Sequence, residues 1–155
     1  MSSDSLPYAR SFRDLVVYQK QRQLSGEVFK ASKSFPPEER FSLIDQLRRA
    51  ARSIGAQIAE SWAKRAYERH FVSKLTDADA EQMETQHWPV TARDDGYLPA
   101  AECQRLLGLC QEIGRMLGSM IERASSFCNS SSLHEDVTGY FSIEPPEART
   151  SSTEY

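Results

Sequence analysis

Arg48, Arg49 and Arg52 lie close together in the second of four predicted helices. Arg48 and Arg52 are four apart and share a helix face. A guanidinium is a planar donor fork, so the cluster suits phosphate contact. It equally suits ion pairing with Asp45, Glu39, Glu60 or the acids of a neighbouring subunit, the commoner use of such a group. Lys64, Arg65 and Arg69 continue the basic region past the helix end, with Trp62 and Tyr67 among them. Basic residues interleaved with aromatics can bind single-stranded nucleic acid. Trp62 also follows Ile58 by four and so extends a core stripe. These six cations are the candidate nucleic-acid contacts.

Other chemistry is thin. Glu84-Thr-Gln-His87 has the Glu-x-x-His spacing of di-iron helical bundles. Such a site needs a second copy and two further glutamates, and His70 and His134 supply none. The acids Asp77, Asp79, Glu81 and Glu84 read as a solvated helix face more readily than as acid–base machinery. No nucleophile–base pattern and no phosphate-cradling glycine loop occurs. No metal, cofactor or catalytic activity is expected.

These residues sit on four predicted helices. Ser11-Phe-Arg-Asp14 has the form of a capping box. Val17, Gln21, Leu24, Val28, Ala31 and Phe35 then alternate at four and three, one apolar seam closed by Phe35-Pro36-Pro37. The second helix is expected to begin at Pro36 or Pro37, with Glu38 and Glu39 at its positive end. It carries Ile44, Leu47, Ala51, Ile54 and Ile58 and runs to about Lys64; Gly55, Ala56 and Ala59 keep an adjacent face small. The third shows a short stripe of Phe71, Leu75 and Ala78, and Pro89 is expected to kink or break it. Gly96 is expected at positive φ as its stop. Pro99 opens the fourth, with Leu106, Cys110, Ile113, Leu117 and Met120 inward and Gly114 and Gly118 as a close-approach strip.

Four amphipathic helices on short connections predict an all-α, antiparallel up-down four-helix bundle spanning 11–124. Residues 1–10 are expected to be a flexible N-terminus. Residues 125–155, rich in Ser, Pro and acids, are expected to be a disordered tail; Val137, Tyr140, Phe141 and Ile143 are its apolar exceptions. Adjacent apolar pairs at Val16/Val17, Leu43/Ile44 and Leu106/Leu107 give three helices an extra stripe, which points to a homo-oligomer.

The net charge of −3 averages two unlike parts. From Ser125 on there are five acids and one base, while Met1–Ala124 carries 18 bases and 17 acids. A near-neutral bundle lacks the basic excess usual in nucleic-acid-binding domains. Met1–Asp4 lacks the start of a signal peptide, and no apolar run is long enough to cross a bilayer. Cys103 and Cys110, seven apart on a helix, are about 10.5 Å apart at Cα, too far for a disulfide. The expectation is a cytoplasmic protein with reduced thiols.

Five stretches together resemble one known family. They are Phe12-Arg-Asp-Leu-Val-Val-Tyr-Gln-Lys20; Phe35-Pro-Pro-Glu-Glu-Arg-Phe41; Gln46-Leu-Arg-Arg-Ala-Ala51 with Ser53-Ile54 and Ile58-Ala-Glu60; Ala92-Arg-Asp-Asp-Gly-Tyr-Leu98; and Glu112-Ile-Gly-Arg-Met-Leu117. They resemble the bacterial four-helix-bundle proteins encoded within intervening sequences of large-subunit ribosomal RNA genes. The chain is also similar to the accessory protein of diversity-generating retroelements. The resemblance covers Ser11 to Ala124 and implies an up-down bundle assembled as a ring, typically a pentamer, with no activity established for the family. Its retroelement relatives are basic proteins that bind nucleic acid and a reverse transcriptase. Here Gln57-Ile-Ala-Glu60-Ser61 stands where the family usually has Asn-Ile-Ala-Glu-Gly, and the third helix is unusually acidic. The expectation is a non-enzymatic assembly or adaptor protein; a nucleic-acid-binding accessory factor is the alternative.

Overall fold

The computed structural model describes residues 9–128, and every regular element among them is helical. The long helices are α1 (Val16–Ser32), α2 (Leu43–Ala63), α3 (Glu68–Asp94) and α4 (Ala100–Glu122), followed by one turn, α5 (Ala124–Phe127). Helix α2 packs against α1 and α3, and α4 packs against α3 and α1. Each helix thus neighbours the next in sequence and the fourth closes on the first, an up-and-down four-helix arrangement.

The capping box forms, but on a short 3-10 turn ahead of α1. The Ser11 side chain accepts from Arg13 N at 3.1 Å and Asp14 Oδ2 accepts from Ser11 N at 3.2 Å. The segment at Pro37–Glu39 is likewise a 3-10 turn, and α2 starts only at Leu43. Leu43 rather than Ile44 therefore takes the first buried position. Gly96 adopts φ 80° after α3, as expected for a helix stop.

Pro89 neither breaks nor ends α3, which runs unbroken from Glu68 to Asp94. The inward positions are Phe71, Leu75, Ala78, Gln82, Thr85, Pro89 and Ala92, spaced four and three throughout. An interior proline costs roughly 3 kcal/mol. Packing α3 between α2 and α4 along this whole row outweighs that cost. The polar members find local partners: Thr85 Oγ1 donates to the Glu81 carbonyl at 2.7 Å, and Gln82 Nε2 donates to Asp79 Oδ1 at 3.0 Å.

Of the predicted close-approach glycines, Gly55 and Gly114 serve as such. A Cβ on Gly55 would fall 2.7 Å from Gln21 Cδ, and one on Gly114 would fall 2.8 Å from Gln82 Nε2. Gly118 instead faces open space.

The two ends of the bundle are plugged by aromatics. At one, Phe35 packs on Tyr97 with ring centroids 6.0 Å apart, and the Tyr97 hydroxyl donates to Glu39 Oε1 at 3.3 Å. At the other, Phe127 stacks on Phe71 at 5.8 Å. Ala124 is buried, and Phe127 and Cys128 of the expected tail pack partly against the core. Ala9 packs partly against the core and Arg10 N donates to Asp14 Oδ2 at 2.9 Å. Residues 1–8 of the start expected to be flexible, and residues 129–155 of the expected tail, lie outside the described residues.

Candidate functional site

Helix geometry divides the six predicted cations into two groups, because Arg52 and Lys64 lie about 18 Å apart along α2. Arg48 turns toward α1. Its Nε donates to the buried Ser32 Oγ at 2.8 Å, and its guanidinium lies 4.6 Å from the centroid of the Phe29 ring. Arg49 turns the other way, toward α3. Its Nη2 bridges both carboxylate oxygens of Glu84, at 2.8 and 3.1 Å, and Nη1 stands 4.0 Å from Glu81. Arg52 is exposed and makes no ion pair among the described residues.

The second group clusters where α2 passes into α3. Lys64 caps the end of α2 and Arg69 lies in the first turn of α3, both exposed. Neither makes an ion pair among the described residues. Arg65 is spent locally: its Nε donates to the Trp62 carbonyl at 2.9 Å and its guanidinium lies 3.5 Å from the Trp62 ring centroid. Partial burial lowers the Arg65 pKa. Trp62 is half-buried against the core, an extension of the α2 stripe rather than an open stacking platform.

The acidic stretch of α3 is largely engaged within the fold. Glu81 and Glu84 face Arg49, and Lys74 joins Glu60 at 2.9 Å and Asp77 at 3.9 Å. Burial raises the Glu81 pKa, the nearby Glu84 adds to that, and Arg49 opposes it. The pairing of Arg49 across to α3 was hidden in the sequence, where Asp45, Glu39 and Glu60 were the nearer acids. Glu84 is committed to Arg49, and the exposed His87 sets its ring edge-on to Trp88 at 4.7 Å. Among the described residues no three His, Cys, Asp or Glu side chains are grouped to hold a metal ion. Cys103 and Cys110 are buried free thiols, and desolvation pushes Cys110 up to about 12.

The sequence reading missed the most exposed aromatic surface. Phe41 is 87% exposed, with Arg40 5.4 Å from its ring centroid. Phe29 is held between Lys33 and Arg48, each 4.6 Å from its ring centroid. Phe41, Ile44, Arg48 and Arg52 line one open groove on α2; Arg52 and Ala56 also border a second that reaches Phe29 on α1. One signal was available: Phe29 and Phe41 both fall outside the apolar stripes and both stand near basic residues. Aromatics and arginine are the residue types enriched in protein interfaces.

Among the described residues no helix is long and apolar enough to cross a membrane. No curated protein matches the sequence. Among solved structures, the fold is similar to a protein of unknown function from the S23 ribosomal protein family of Bacteroides thetaiotaomicron VPI-5482. The identity is 26% and the TM-score 0.62, covering 68% of this chain and 98% of that one. The family model described as "23S rRNA-intervening sequence protein" matches residues 13–119, which include all of α1, α2 and α3 and most of α4. With the same helical arrangement seen in a solved relative and most of the chain matched, this protein belongs to the 23S rRNA-intervening sequence protein family.

Proposed function

We propose that this chain is a non-enzymatic assembly and adaptor protein of the cytoplasm. It forms a homo-oligomeric ring, pentameric as the family resemblance implies, and offers the α1–α2 groove to a macromolecular partner. The observation that carries this reading is the exposed aromatic–arginine surface of Phe29, Arg40, Phe41 and Arg48. Apolar surface that is contiguous and rimmed by polar residues is the kind that marks an interaction site, and here Phe41 and Ile44 are rimmed by Arg40, Arg48 and Arg52. The extra apolar residues support assembly: Val16 is 64% exposed, and Ile44 and Leu107 are only half-buried beside the buried Leu43 and Leu106. Light scattering at micromolar concentrations should return a mass of about five chains. A monomer throughout that range sinks the assembly half.

The second reading is a nucleic-acid-binding accessory factor, acting with RNA, DNA or a reverse transcriptase as the retroelement resemblance implies. Arg52, Lys64 and Arg69 favour it, since they make no ion pair among the described residues. The commitment of Arg49 to Glu84 weighs against it, because a neutralised guanidinium releases few counterions on meeting phosphate.

A further inference from the structure

We infer that the groove along α2 is covered, in the chain by itself, by that chain's own acidic segment at 134–147. This rests on the groove being a docking face, as proposed above. The chain leaves the described residues at Cys128, beside Arg65 and next to Phe127, which is stacked on Phe71. That point lies at the α2–α3 turn, the far end of α2 from Phe41. From Arg65 back to Ile44, α2 rises about 31 Å. Twelve residues, from Cys128 to Tyr140, can span about 40 Å when extended, so the segment reaches.

The charges fall in register with that path. Arg52 and Arg48 stand about 20 and 25 Å back from Arg65 along the helix axis. Glu135 and Asp136, seven and eight residues beyond Cys128, reach about 25 Å in extended form. Tyr140, Phe141 and Ile143 follow with chain length to spare, so they can settle on Ile44 and Phe41 without full extension. Residues 129–155 hold five acids against the single base Arg149, whereas the groove at the head of α2 holds Arg40, Arg48 and Arg52, besides the Glu84-paired Arg49, against the single acid Asp45. The floor between the ends is low: Ala56 is exposed and Ala59 half-buried, both lining the groove that borders α1. The order of residue types in this segment, acids and then aromatics, matches the order of arginines and then aromatics along the trough. A partner that takes the groove must first displace this segment.

The test places a photoreactive benzoyl-phenylalanine at position 41 of the full chain and maps its link by mass spectrometry in mixed light and heavy isotope populations. The expected product is a link within the same chain to residues 137–147. In the Glu135→Lys/Asp136→Lys chain its yield should drop at least about fivefold, the scale of losing one or two exposed ion pairs and turning attraction into repulsion. Phe141→Ser should lower it comparably. A link to the bundle of a second chain overturns the tail assignment while leaving the docking face. No link from position 41 to any chain sinks both. A link whose yield ignores both sets of substitutions overturns the register argued here.

Discussion

Gln21 of α1 lies directly over Gly55 of α2, and its Nε2 donates to the Ala51 carbonyl at 2.9 Å. The same amide also donates to Ser25 Oγ at 2.9 Å, so a polar side chain is satisfied inside an otherwise apolar seam. The contact exists because residue 55 has no Cβ. The α3–α4 contact repeats the device, with Gln82 over Gly114.

Gly55→Ala is therefore expected to destabilise the bundle. Alanine gains about 1 kcal/mol of helix propensity. Against this stand roughly 1–3 kcal/mol of overpacking and about 1 kcal/mol for the displaced hydrogen bond. A net loss of about 1–3 kcal/mol should lower the denaturation midpoint at fixed protein concentration. Gly108→Ala, where a Cβ meets open space, should raise it by about 0.5–1 kcal/mol. If both substitutions stabilise, the Gln21–Gly55 contact has no structural weight.

Pro89→Ala is expected to stabilise. The ring is fully buried, so its removal loses about 1 kcal/mol of apolar contact. The restored N–H and relieved clash return up to roughly 3 kcal/mol. A midpoint increase of about 1–2 kcal/mol is the expected result. A decrease would mean that the ring's packing in α3 outweighs the helix penalty.

Glu81 gives a signed pH dependence. Burial first, and Glu84 second, raise its pKa above the ordinary value. Between the unfolded and the raised folded pKa, the folded chain holds more protons than the unfolded one. Stability from this group is thus present at low pH and lost as pH rises through the folded pKa. Glu81→Gln should remove that decline, flattening the stability profile just above the usual glutamate range. Equal slopes in both chains there would refute the assignment to Glu81.

Helices α1, α2 and α4 were legible because their inward rows are mostly apolar and spaced four and three. Helix α3 has an equally regular row, but Gln82, Thr85 and Pro89 occupy three of its seven positions, so the apolar signal faded halfway. Pro89 then looked like a breaker, since a local rule cannot see the two helices that clamp the segment. The cations were found as residues but not as a site. Whether an arginine is neutralised depends on its partner across the bundle, and Arg49 and Glu84 are 35 residues apart. The Phe29–Phe41 surface escaped because its residues lie on two elements and belong to no period.

The final prediction decides between the two functional readings. On a labelled single-stranded RNA, each phosphate contact contributes about −0.7 to the slope of log affinity against log salt. Under the nucleic-acid reading, Arg52→Ala/Lys64→Ala/Arg69→Ala should flatten that slope by about 2, because three cations without ion-pair partners are removed. Arg49→Ala should change it little, since its charge is already balanced by Glu84. Under the adaptor reading, the wild-type slope is shallow and neither variant alters it. A steep slope lost only in the triple variant would replace the adaptor reading with the nucleic-acid one and place the contacts at Arg52 and the α2–α3 turn. A steep slope lost in Arg49→Ala as well would mean that the RNA displaces Glu84 from Arg49. The ion pair would then be a latch that binding opens, and Glu84→Gln should tighten binding at low salt.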